Sequence, residues 1–315
     1  MIRQLSLFGD DSEDKPVDVV VAPQLDLFNQ RVVGLGQVSE LLRCGELAEA
    51  HRALKVLQSK LPRDPIVAEH ARIISDLRHR HGALMALSPK DRAPAMLRLA
   101  REFLNATGNI HEFAQALGRR ATHEWCITCG DDKLLDGRLP GEWFVSGGAL
   151  EDAVHSFERA AVVRYDARLA FHWADALTAM GRTAEARCRY RDAFLRDPFH
   201  DAAQNLRDDV VRSLPEIARY EIGIEEEPLA WAAPVGMVVG VLPRPTDATL
   251  EYEGAECTCT STQREALQRA RKFAVLLMKI SQSNARKDAD LQIELRREMK
   301  NSCPELFQVL LRRRT

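Results

Sequence analysis

Small and aromatic residues recur along this chain at a spacing that suits paired helices. Gly148, Ala153, Phe157 and Ala160 stand at offsets 0, 5, 9 and 12, and Gly181, Ala186, Tyr190 and Ala193 repeat those offsets 33 residues later. Offsets 5, 9 and 12 share one helical face, behind a glycine suited to ending the helix before it. Pro198 closes the second copy. Ahead of Gly181, Ala170, Ala174 and Leu177 mark one face of a preceding helix that also holds Trp173, which predicts a helix pair at 167–180 and 183–197. In the first copy only the second helix is legible, because Leu139-Pro140-Gly141 and Gly147-Gly148 interrupt its partner. Gly45, Ala50, Leu54 and Leu57 give a third echo, with Pro62 placed after Gly45 as Pro198 is after Gly181. Its first helix would cover 35–44, and further helices are predicted at 64–80, 89–106 and 109–121.

The pattern changes at 215–262. Tyr220-Glu221-Ile222-Gly223-Ile224 alternates, and Val238 to Leu242 is a short apolar run ending in Pro243-Arg244-Pro245, which predicts a small β-hairpin or a packed loop. Helical periodicity resumes at Gln263, where Leu267, Ala270, Ala274, Leu277 and Met278 mark a face, and two more helices are expected at 288–300 and 304–313. The 33-residue repeat resembles the tetratricopeptide repeat, best over 167–198. The expected fold is mainly α: a tetratricopeptide-like helical solenoid over 32–214, with a disordered tail at 1–31, an irregular insertion at 122–148, a short β or loop segment at 215–262 and basic helices at 263–315. The resemblance implies a concave peptide groove carrying Arg168, Phe171, Asp175 and Thr178.

The first thirty residues are of another kind. They hold two positive charges and six negative ones, too few apolar positions for a core, and a pentapeptide that occurs twice. Gln4-Leu5-Ser6-Leu7-Phe8 returns twenty residues later as Gln24-Leu25-Asp26-Leu27-Phe28. From average residue usage one such pentamer arises in about one chain per thousand of this length. Both copies resemble the short linear motif by which bacterial proteins dock on the DNA polymerase sliding clamp, matching it at all five positions. The resemblance implies that each Gln bonds at a pocket rim while the second Leu and the Phe fill an apolar cleft. Burying a Leu and a Phe supplies about 1.5–3 kcal/mol each before ordering costs, which suits a weak and reversible contact. Two copies on one tether raise avidity. The alternative is that the pentamers pack on the chain's own body.

Composition adds an asymmetry. The net charge is −2, yet residues 257–315 carry thirteen Lys/Arg against six Asp/Glu, a net of +7 ending in Arg312-Arg313-Arg314. That end is either a surface for nucleic-acid phosphates or a solvated helix face. No run of eighteen apolar residues occurs, and seven cysteines without a signal peptide point to reduced thiols in the cytoplasm. One cysteine motif has chemical promise. His123, Cys126 and Cys129 offer three zinc ligands at tight spacing, or a redox dithiol, or free thiols in a packed core. No Walker-type loop, dinucleotide fingerprint or Gly-x-Ser-x-Gly is found, and no cofactor is implied beyond that candidate zinc. The reading that best joins these parts is a non-enzymatic adaptor tethered to the clamp, with a helical body for a second protein and a basic end able to touch DNA. The alternatives are a general repeat scaffold or chaperone, and a zinc- or dithiol-dependent protein.

Overall fold

The computed structural model describes residues 23–103, 109–245, 259–282 and 289–313, with the backbone alone at 23–28 and 109–110. The α-helices run in chain order α1 (Pro23–Arg43), α2 (Leu47–Lys60), α3 (Pro65–Met85), α4 (Pro89–Phe103), α5 (Asn109–Cys129), α6 (Pro140–Ser146), α7 (Leu150–Val163), α8 (Ala167–Ala179), α9 (Thr183–Arg196), α10 (Asp209–Arg212), α11 (Leu214–Glu216), α12 (Ala232–Val239), α13 (Ser261–Gln282), α14 (Ala289–Ser302) and α15 (Pro304–Arg312). Short 3₁₀ turns at Asp201–Asn205 and Pro228–Trp231 and a π turn at Ile217–Ile222 join the later helices. The chain divides into two compact units, residues 1–82 and 83–315.

The same hairpin is built three times. Gly45, Gly148 and Gly181 have φ of +79°, +72° and +76°, a left-handed conformation that favours glycine. Each glycine N–H bonds the carbonyl three residues back, and the next N–H bonds the one five back: Gly45 to Leu42 and Glu46 to Leu41, Gly148 to Val145 and Ala149 to Phe144, Gly181 to Thr178 and Arg182 to Leu177. These bonds satisfy the last carbonyls of the first helix, and the second begins two residues after the glycine. At the shared offsets Ala50, Ala153 and Ala186 are fully buried, as are Phe157 and Tyr190, with Leu54 nearly so. In two of the hairpins a second glycine lies where a side chain would clash with the partner helix. A Cβ on Gly34 would lie 2.6 Å from Leu57 Cδ1, and one on Gly141 would lie 2.5 Å from the Phe157 ring.

In the first unit, Val38 and Leu42 of α1 pack with Leu47, Ala50, Leu54 and Leu57 of α2. In the second, α4 packs along α5, α6 along α7, and α8 along α9. Helix α12, buried from Ala232 to Val238, then packs against α9, α13 and α15.

The structure corrects the expected β segment. The described residues are mainly helical and hold no β-strand; the closest approach is an isolated bridge between Leu135 and Arg138. The first part of the run Tyr220–Ile224 lies in the π turn, where Tyr220 is exposed; Gly223 ends the turn and Ile224 after it is buried. The apolar run at Val238–Leu242 is the end of α12 and the turn after it: Gly240 has φ of +82°, and the Val241 and Leu242 N–H groups donate back to the Gly236 carbonyl; a short apolar run lacks the periodicity that separates helix from strand. Residues 246–258 of the expected segment lie outside the described residues. The stretch 122–148, expected to be irregular, is helical at 122–129 and again in α6. Pro140 opens α6 at a position where its missing N–H costs nothing.

Candidate functional site

Helix α8 lines a polar cleft in the second unit. Arg168, His172 and Asp175 stand at i, i+4 and i+7 on one face, opposite His200, Asp201 and Asn205 of the 3₁₀ turn, around a cleft of about 840 Å³. The cleft is organised from below by Glu142 of α6, whose side chain is only 11 % exposed. Its Oε1 accepts the Leu139 N–H at 3.1 Å, closing a cap on α6, and Arg168 Nε at 3.0 Å. Its Oε2 lies 3.6 Å from His172 Nε2. Arg168 also donates to the Gly137 carbonyl at 2.9 Å, so the guanidinium is fixed by the turn before α6 as well as by Glu142.

Asp175 Oδ1 accepts the Tyr190 hydroxyl and the Arg207 N–H at 3.0 Å. Burial nonetheless pushes its carboxyl above the usual carboxylate value, the two donors opposing that shift. Burial also depresses His172 below the usual histidine value, although Glu142 and Asp175 pull the other way. His200 Nδ1 accepts the Ala202 N–H at 3.1 Å, which leaves the ring proton on Nε2. Of the Arg, Asp and Glu side chains at the cleft, Arg168 is outnumbered by Asp175, Asp201 and Glu142. The cleft therefore offers more acceptors than donors, a surface suited to basic or amide-rich peptide groups.

Two of the four groove residues expected from the repeat resemblance, Arg168 and Asp175, line this cleft. Phe171 does not: it is fully buried, edge-on to Phe194 with ring centroids 5.2 Å apart. Thr178 also turns away, its hydroxyl donating to the Ala174 carbonyl at 2.9 Å and lying 3.3 Å from the Tyr190 hydroxyl. His172 and His200 went unnoticed in the sequence. The i, i+4, i+7 spacing of Arg168, His172 and Asp175 carried the signal for the first, and none marked the second.

The first pentamer, Gln4, Leu5, Ser6, Leu7 and Phe8, lies outside the described residues. The second, Gln24, Leu25, Asp26, Leu27 and Phe28, falls in the opening turns of α1, where the backbone alone is described.

Cys126 and Cys129 occupy the last turn of α5, at the negative end of its dipole. A thioredoxin-type dithiol uses the opposite end, where the dipole stabilises a thiolate. Burial, followed by the nearby negative charge of Asp131, pushes the Cys126 thiol up to about 12. Arg159 donates to both oxygens of Asp131, at 2.8 and 2.9 Å. Burial raises the Asp131 carboxyl, but hydrogen bonds from Arg159, Ser156 and Cys126 together with the Arg159 charge outweigh it, so the group sits below the usual value. His123 turns elsewhere, its ring 4.7 Å from Phe144 and its Nε2 3.5 Å from Asp152. Among the described residues no three His, Cys, Asp or Glu side chains come together to hold a metal ion.

Several basic residues of the C-terminal helices have structural duties. Arg271 donates to the carbonyls of Leu195 and Arg196 at 2.7 and 2.6 Å, closing the end of α9. Arg313 donates to the Val239 carbonyl at the end of α12. Lys272 pairs with Glu298 at 2.9 Å and Arg269 with Glu226 at 3.0 Å. Among the described residues no helix is long and apolar enough to cross a membrane. No family model matches the chain, and no curated protein or solved structure matches it either.

Proposed function

We propose that this chain is a non-enzymatic adaptor of the cytoplasm that docks on the DNA polymerase sliding clamp through its two pentamers and holds a second protein on its helical body. The observation that carries the reading is the near-identity of residues 4–8 and 24–28, with Ser6 and Asp26 the sole difference. Apolar side chains in an acidic segment are poor core material and suit another protein's pocket. The cleft along α8 supports the second half of the reading. It sets fixed charges on a rigid helix, and Glu142 preorganises Arg168 and His172 before any partner arrives.

The test is a binding measurement with purified clamp. The full chain binds with a micromolar-scale Kd, each single variant, Phe8→Ala or Phe28→Ala, binds about tenfold more weakly, and the double variant shows no binding while its thermal unfolding is unchanged. Full binding by the double variant removes the clamp from the account.

A further inference from the structure

The first unit carries a groove that its own fold leaves open. It runs between α1 and α2 with an empty volume of about 770 Å³; Val33, Gly34, Val56 and Leu57 form an apolar floor, and Asn29 and Lys60 stand among the polar residues at its edge. Val33 is 72 % exposed and Val56 56 %. The floor is low because Gly34 has no side chain and its Cα lies against Leu57. Apolar surface of this kind on two rigid helices is a seat for apolar side chains.

The occupant best placed to fill it is the chain's own beginning. Residues 9–22, fourteen in all, separate Phe8 from the start of α1, and they reach at most about 46–50 Å when extended. Asn29, at the near end of the groove, is six residues into α1, a rise of about 9 Å. The segment therefore reaches the groove with slack and is held beside it at millimolar-scale effective concentration. Leu5, Leu7 and Phe8 match the apolar floor, and the acidic run Asp10, Asp11, Glu13 and Asp14 that follows them complements Lys60 at the edge.

We infer that the α1–α2 groove is an intramolecular seat for residues 5–8, so that the first pentamer is held on the body until a competing pocket takes it. The seat stands on the groove and the tether alone. Its regulatory meaning, a brake on clamp docking, rests on the function proposed above.

The experiment uses the full chain with Phe8 replaced by p-benzoylphenylalanine, irradiated alone in dilute solution, with the cross-links mapped by mass spectrometry. Cross-links within one molecule to residues 29–60 are expected, and they disappear in a Val33→Lys/Val56→Lys background or in the milder Val33→Ser/Val56→Ser background. Cross-links to any other region, cross-linked dimers, or a map unchanged by these substitutions overturns the seat. With purified clamp and Phe8 intact, Val33→Lys/Val56→Lys tightens binding about threefold, because the pentamer is no longer partly occupied. Unchanged clamp affinity overturns the brake, whereas absence of clamp binding by every form overturns the adaptor reading and leaves the cross-link map to decide the seat.

Discussion

The hairpins α1–α2 and α8–α9 share a turn and a set of buried offsets, yet they end differently. Thirteen and fourteen residues after its glycine, α9 carries Phe194 and Leu195, both about 1 % exposed, and α12 and α13 pack against that helix. At the same offsets α2 carries Gln58 and Ser59, both exposed, and its neighbour Val56 is exposed too. The inner face of a hairpin is thus specified by the glycine and the residues at offsets 5, 9 and 12. What covers the hairpin is specified by other positions. In α9 they are apolar and a third layer of helices covers them; in α2 a lone valine beside polar residues is left open.

This comparison can be broken at its strongest point first. Tyr190→Ala removes a fully buried aromatic and should destabilise the chain by about 4 kcal/mol, and Leu54→Ala, at the equivalent place in α2, by about 3 kcal/mol. Urea unfolding measures both, and a cost for Leu54→Ala below about 1 kcal/mol would end the equivalence of the two inner faces. The turn comes next. Gly45→Ala and Gly181→Ala each force a side chain into the left-handed region and should cost about 1–2 kcal/mol in both hairpins, with melting temperatures falling in parallel.

The smallest effect is titration: burial depresses a histidine in each hairpin, His51 in α2 and His172 in α8, and α8 adds Asp175, a carboxyl that burial raises. His172, depressed below 6.5 by burial, stays neutral in the fold while the unfolded chain takes up its proton. Its contribution is therefore complete above about pH 7 and is lost as pH falls through 6.5 toward the folded value. Asp175 has the opposite sign: its carboxyl is raised above 3.8, so stability is regained only at lower pH, as the fold protonates before the unfolded chain does. Unfolding followed from pH 7.5 to 5.5 should show a shallow loss of stability that His172→Gln and His51→Gln each reduce and that the double variant flattens. An equal slope in the His172→Gln protein would place the titrating group elsewhere.

The hairpin interiors were legible because three glycines and their offsets repeat a physical requirement: a left-handed turn followed by small or aromatic residues on one face. Helix α6 was not legible, because Pro140 and Gly141 read as breakers. Pro140 is in fact a starting residue, and Gly141 is needed where the Phe157 ring passes. The β expectation failed at Val238–Leu242 since a short apolar run fits the end of a buried helix as well as a strand. The cleft was half legible. Arg168 and Asp175 followed from the repeat resemblance, but Phe171 was drawn inward by Phe194, a contact that no local pattern announces. His200 reaches the cleft through the course of the chain after Pro198, which is tertiary information.

The bonds from Arg271 to the carbonyls of Leu195 and Arg196 join positions 76 and 75 apart in the chain. During synthesis the end of α9 therefore waits, its last carbonyls facing water, until some seventy-five further residues have been made. Closing so long a loop costs entropy before any contact repays it. The end of α9 is thus completed by a residue of α13, and α9 is a docking edge for the late helices rather than a finished element when it first forms.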